Sequence, residues 1–323
     1  MALHLVTDDE AGPVAMRTGR ANVGEIELAY DLFGERGKPL VLVMGIGAQR
    51  IFWSDGLCTQ FARAGFHVCR FDNRDVGEST RLNDAPVPNA GRVMAARLLT
   101  GRPPRVPYTL ADMATDTARL IPALGWSRAH VVGVSMGGMI VQQLAVDHPD
   151  RLLSMTSIMS ANGSRRYIPE PRALKALFAP RPKTAVEAGV QLAAMFEILG
   201  GGGYPRMPGA LERMGELAFE RGMNPRGFLR HYAAIMGAPD RRPGLRVSAV
   251  PSLIIHGTRD PLFPVRAGRD LAEMMPDATW LPLAGMGHDM PEPLWPTLVA
   301  AIARHAERAE SRDSGAGATR ARF

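Results

Sequence analysis

The chain has 323 residues, 46% of them apolar and 22% charged, with 34 Gly, 26 Pro and only 2 Cys. That composition excludes a disordered chain, a collagen and a disulfide scaffold, and the length suits one large α/β domain or two smaller ones. The net charge of +6 rests on 38 basic residues, of which only Lys38, Lys175 and Lys183 are lysines. The arginines are spread through every segment and aromatics are 6%, so the basic stripe of a nucleic-acid binder is missing.

The first fifteen residues carry Asp8, Asp9 and Glu10 and no basic stretch ahead of an apolar run, unlike a secretory signal. No run approaches the roughly eighteen apolar residues of a membrane span. A cytoplasmic protein with no membrane span and no nucleic-acid partner is expected. Cys58 and Cys69 stand eleven apart with no second pair, which offers neither a zinc ribbon nor a C-x-x-C site. Two small buried thiols are expected.

Along the chain, Glu25 to Phe33 alternates apolar and polar residues, the pattern of a half-exposed antiparallel edge strand. Pro39 to Met44, His67 to Phe71, His130 to Val134 and Ser252 to His256 are short apolar runs that predict buried strands. Ala111 to Leu124 and Gly137 to Asp147 have helical spacing. This alternation predicts a mostly parallel sheet with helices on both faces. Arg81 to Pro107 is an Arg-rich surface excursion among prolines.

From about Ala161 the rhythm stops, and helical patterns succeed one another at Arg172–Phe178, Ala185–Leu199, Gly209–Arg221 and Pro225–Met236. Gly200 to Gly203 reads as a hinge or disordered joint. The expected division is a core of 14–160 and 246–306, an inserted helical cap of 161–245, and a disordered tail of 307–323.

Gly133-Val-Ser135-Met-Gly137 is a G-x-S-x-G pattern, weak evidence alone. Its context strengthens it, because an apolar strand leads directly into it and a helix opens directly after it. A serine at such a turn takes a strained backbone, and its Oγ is pushed above the sheet. It needs a base. Of the eight histidines, His4 and His305 lie near the termini, His67 and His130 open strands at the far end, His148 ends a helix, and His231 falls in the inserted helices. His256 ends a strand and precedes Gly257, so it could approach the site but is expected to pack there. His288, in the loop Pro282–Pro291 before the last helix, is left as the base.

Asp260, in the turn Gly257–Pro264 after a strand, fits the acid that would hold the His288 tautomer. Asp289 is a poorer choice, since adjacent side chains in a loop diverge. Two oxyanion donors are assigned to the backbone N–H groups of Met136 and Ile46, with Gly47 as the fallback.

These residues resemble the α/β-hydrolase superfamily in their order Ser135, Asp260, His288, in the elbow, in the G-x-x-D-x-x-x-P acid turn and in the G-x-G-H loop. More narrowly, Val43–Ile46, Phe71–Ser79 and Ala129–Gly137 are similar to aclacinomycin methylesterases and related hydrolases. Two features depart from that group. Met44-Gly45 stands where His-Gly is usual, and the Arg81–Pro107 insertion is longer, so a polyketide substrate is not carried over. The resemblance implies a serine carboxylesterase that forms an acyl-enzyme on Ser135, with neither metal nor cofactor, acting on a small apolar ester of short to medium acyl chain. Met195, Phe196, Met207, Met214, Phe228, Tyr232 and Met236 are candidates for its pocket. The same triad also serves cofactor-free perhydrolases (haloperoxidases), C–C or lactone hydrolases, and small-molecule receptors with little turnover.

Overall fold

A computed structural model describes residues 3–6, 14–101, 104–164 and 166–320. Among these residues nine strands form one sheet: β1 (Leu3–Val6), β2 (Val14–Asn22), β3 (Glu27–Phe33), β4 (Lys38–Val43), β5 (Phe66–Phe71), β6 (Ala129–Val134), β7 (Leu152–Ile158), β8 (Ser252–Gly257) and β9 (Ala278–Leu283). Their spatial order is β1-β2-β3-β5-β4-β6-β7-β8-β9. The first three are antiparallel, and every pairing from β5 to β9 is parallel. β3 is therefore an interior strand and not the expected edge. β2, whose half-exposed residues lack a strong apolar signal, pairs along its outer side.

Alternation along the buried strands divides the core in two. Leu40 and Leu42 of β4 face α1 (Asp55–Arg63) and α11 (Trp295–Arg320), where they meet Leu57, Phe61, Leu298 and Ile302. Val41 and Val43 face the opposite layer of α3 (Leu110–Ala123), α4 (Met136–Asp147) and α10 (Arg266–Met274), with Leu110, Ile140 and Leu271. Burying each such side chain is worth about 1.5–3 kcal/mol. α4 is buried on nearly every side, which explains its almost wholly apolar sequence. Cys58 and Cys69 are free and buried.

Between β7 and β8 lie α5 (Pro171–Leu177), α6 (Ala185–Leu199), α7 (Ala210–Glu220), α8 (Pro225–Gly237) and the short α9 (Arg242–Leu245). The 81–107 excursion contains α2 (Ala90–Thr100), whose Val93 packs against Tyr232 and Ala233 of α8.

The tail expectation needs correction. α11 runs on to Arg320 and does not fray at 307. Glu310 pairs with Lys38 and His130, Asp313 with Arg128, and Arg312 with Asp277, so this helix is tied to the sheet by charges scattered far along the chain. Residues 321–323 lie outside the described part. Among the described residues no helix is long and apolar enough to cross a membrane.

Candidate active site

The chain enters the parallel part of the sheet at β4, steps to one side for β5, and returns to the other side for β6. The crevice beyond the carboxyl ends of β4 and β6 is thus the switch point at which such sheets bind ligands. Ser135 emerges there from β6 with φ of +55° and ψ of −118°, the strained turn predicted from sequence. Its N–H donates to the Ile158 carbonyl at 3.0 Å, and the Ser160 hydroxyl donates to its carbonyl at 2.7 Å. The flanking glycines have a steric reason. A Cβ on Gly133 would strike the Gly137 carbonyl, and one on Gly137 would strike the Val43 carbonyl.

The structure brings Ser135, His288 and Asp260 together. His288 Nε2 lies 2.9 Å from Ser135 Oγ, and His288 Nδ1 lies 2.8 Å from Asp260 Oδ2. The other Asp260 oxygen accepts the N–H groups of Leu262 and Phe263, both at 2.8 Å. Burial by itself would raise the Asp260 carboxyl. The charge of His288 and hydrogen bonds from His256 and His288 outweigh it and hold the group well below the usual carboxylate range. An ionised Asp260 requires the proton on Nδ1, which leaves Nε2 to accept the serine hydroxyl.

The rejected candidates occupy other places. His256 sits buried behind Asp260, with Nε2 2.9 Å from the Phe263 carbonyl and 3.3 Å from Asp260 Oδ2. Asp289 turns away from His288 and accepts Arg206 at 2.5 Å. Burial raises its carboxyl against the pull of Arg206.

The loop after β4 abuts the serine, since a Cβ on Gly45 would lie 3.7 Å from Ser135 Oγ. Met136 opens α4, and the first N–H groups of a helix have no partner within it. Gly47, the fallback donor, is corrected: its N–H donates to His231 Nδ1 at 3.1 Å and is spoken for.

A cavity of about 690 Å3 opens above Ser135 and His288. Met195, Phe196, Met207, Met214 and Phe228 line it as expected, whereas Tyr232 and Met236 pack instead against α2 and Val106. Gly200–Gly203 is not a disordered joint. Gly203 lies against the Gly285 backbone and Gly200 against Gly287, so α6 ends directly on the histidine loop.

The segment Phe71–Ser79, similar to its counterpart in the methylesterase group, carries no catalytic signature in its sequence. In the structure Asn73 Nδ2 donates to the Met44 carbonyl at 3.0 Å, Arg74 forks onto Asp116 at 2.6 and 2.7 Å, and Asp75 accepts both arms of Arg230 at 2.6 and 2.7 Å. This segment wires the loop beside Ser135 to the core and to α8.

Comparison with known proteins agrees with this fold. A model of the alpha/beta hydrolase fold family matches residues 38–292. The chain belongs to that family. Among similar family members, rhodomycin D methylesterase DauP of Streptomyces sp. strain C5 is 27% identical over 295 residues, which cover 84% of this chain and 91% of DauP. The solved structure of the enol-lactonase from Burkholderia xenovorans LB400 has a TM-score of 0.67 at 24% identity, covering 89% of this chain and 99% of the other. The 2-hydroxy-6-oxo-6-phenylhexa-2,4-dienoate hydrolase from Rhodococcus sp. strain RHA1 has a TM-score of 0.69 at 19% identity, covering 90% and 99%. At these identities the two structures speak for the fold alone.

Proposed function

We propose that this α/β hydrolase is a serine carboxylesterase in which Ser135, His288 and Asp260 form the catalytic triad. The observation that carries the reading is the continuous relay from Ser135 Oγ to His288 Nε2 (2.9 Å) and from His288 Nδ1 to Asp260 Oδ2 (2.8 Å). His288 takes the serine proton as Oγ attacks the ester carbonyl. The Ile46 and Met136 amides hold the oxyanion, and Asp260 stabilises the imidazolium. The alcohol leaves with the proton from His288. Water, activated by the same base, then releases the acid and frees the serine.

Residues 161–245 act as the cap over this site. Its cavity volume lies within the range of sites for drug-sized ligands and supports the medium-chain end of the expected acyl range over acetate.

The test is hydrolysis of p-nitrophenyl esters from acetate to palmitate by wild type and Ser135→Ala. A chain-length optimum in the wild type, with a loss of roughly a thousandfold or more in the variant, supports the esterase reading. A wild type inert to all these esters, or a variant that keeps its rate, refutes it and leaves perhydrolase, C–C or lactone hydrolase and receptor activities to be assayed in turn.

A further inference from the structure

We propose that His231, a residue of the inserted helix α8, is a positioning residue for the oxyanion loop. By accepting the Gly47 N–H it fixes the neighbouring Ile46 amide toward Ser135. This rests on the esterase reading above and adds a residue to its machinery.

The loop from Met44 to Gln49 contains two glycines and has little intrinsic stiffness. Its ends are tied by Asn73 to the Met44 carbonyl at 3.0 Å and by Gln49 Nε2 to the Ala218 carbonyl at 2.7 Å. Between them the Ala48 N–H closes a turn onto the Gly45 carbonyl at 3.4 Å, and the Gly47 N–H on His231 Nδ1 is the tether to another element nearest to Ile46. The imidazole is fully buried, and its Nε2 lies 2.8 Å from the Arg74 carbonyl. A carbonyl only accepts, so Nε2 carries the proton and Nδ1 presents a lone pair to Gly47. Both bonds together permit one form of the ring, the neutral Nε2–H tautomer. Burial lowers the pKa of His231 to about 4, which keeps that form populated at neutral pH.

The ring is itself held. Next to it, Arg230 forks onto Asp75 with both side chains fully buried, which prevents α8 from sliding. The Tyr108 ring meets the imidazole edge-on at 6.2 Å. Ile46 packs against the cluster of Val93, Tyr232 and Ala233, the last two being the next residues of the same helix. The donor loop is therefore seated on α8 through this hydrogen bond and through apolar contacts, Phe228 against Gly47 among them. A Gly47 amide committed to His231 is lost to the oxyanion, which leaves the Ile46 amide to face it.

The test compares His231→Asn, His231→Gln and His231→Ala. The Asn oxygen occupies the place of Nδ1 and can still accept from Gly47. The Gln amide extends to the place of Nε2 and can reach only Arg74. We expect His231→Asn to keep kcat within about fivefold of wild type, while Gln and Ala lose about ten- to hundredfold in kcat with KM changed less than about threefold. Affinity for a trifluoromethyl ketone, whose hemiketal oxyanion needs the same donors, should fall in step with kcat. The proposal is overturned if Gln performs as well as Asn, if Ala keeps the wild-type kcat, or if only KM moves. A wild type without esterase activity would refute the functional reading. The tether itself would still be decided by the imidazole 15N resonances of His231, for which a protonated Nδ1 overturns it and an unprotonated Nδ1 beside a protonated Nε2 supports it.

Discussion

The backbone N–H of His288 donates to the carbonyl of Leu199 across 2.6 Å, so the loop that bears the proposed base rests on the last turn of α6. The contact is backbone to backbone because Gly200, Gly203, Gly285 and Gly287 meet there without side chains. A methyl on Gly203 would overlap the Gly285 carbonyl, and one on Gly287 would overlap the Leu199 carbonyl and the Gly200 backbone. Neither neighbour is a flexible side-chain end that could move aside. Gly203→Ala or Gly287→Ala should lower kcat by about tenfold to a hundredfold, because a shift of about 1 Å in a catalytic group is costly. Steady-state kinetics beside a thermal melt checks this; a full loss of folding in both variants with no active fraction would mean that the seam is a folding element first.

The two carboxylates near His288 should respond differently. Asp260→Asn removes the acceptor that sets the tautomer, and kcat should fall by about three to four orders of magnitude. Asp289→Asn leaves that relay intact and disturbs only the contact with Arg206, so kcat should stay within about tenfold. Equal losses in the two variants would contradict the assignment of the acid.

Arg230 and Asp75 form a fully buried ion pair that also takes the Tyr108 hydroxyl at 2.8 Å. Arg230→Ala should destabilise the fold by about 3–5 kcal/mol, since it strands a buried carboxylate. Replacing both partners, with Arg230→Met and Asp75→Gly, should cost less than the sum of the single changes. Asp75 sits at φ of +67°, a conformation that glycine adopts without strain. Urea denaturation of the four proteins in a double-mutant cycle measures the difference.

His231 and His305 are both lowered to about 4, each chiefly by burial. Between about pH 4 and the ordinary histidine value of 6.5, the unfolded chain binds a proton at each site that the folded chain refuses. Stability should therefore fall as the pH drops through this window, by up to about 3 kcal/mol per histidine. Denaturation at pH 7 and pH 5 should show the loss, and His305→Gln should flatten the dependence. A steeper dependence in that variant would contradict the assignment.

Local chemistry made much of the fold readable. The strands β4, β5, β6 and β8 are short apolar runs, and α6 begins and ends where its spacing and its Thr184 cap place it. β7 escaped that rule because Ser154, Thr156 and Ser157 interrupt it, their polarity absorbed by partners such as His130 and Gln142 far away in sequence. The interior position of β3 depends on a hairpin that only tertiary pairing reveals. Ser135, Asp260 and His288 each sit in a turn with its own signature. His231, Asp75 and Arg230 have none: they act through contacts between residues about 155 to 184 positions apart, and position along the chain argued against His231.

Seven of the 18 methionines line the cavity above Ser135: Met44, Met159, Met195, Met207, Met214, Met223 and Met290. Thioethers conform to varied apolar guests, and they are also readily oxidised. A triad that passed its acyl group to peroxide would release peracid into a chamber walled by its own oxygen acceptors. Each sulfoxide formed would turn part of an apolar wall polar and chiral. Such an enzyme would wear out its own binding site as it worked, whereas one that hands the acyl group to water leaves those walls as it found them.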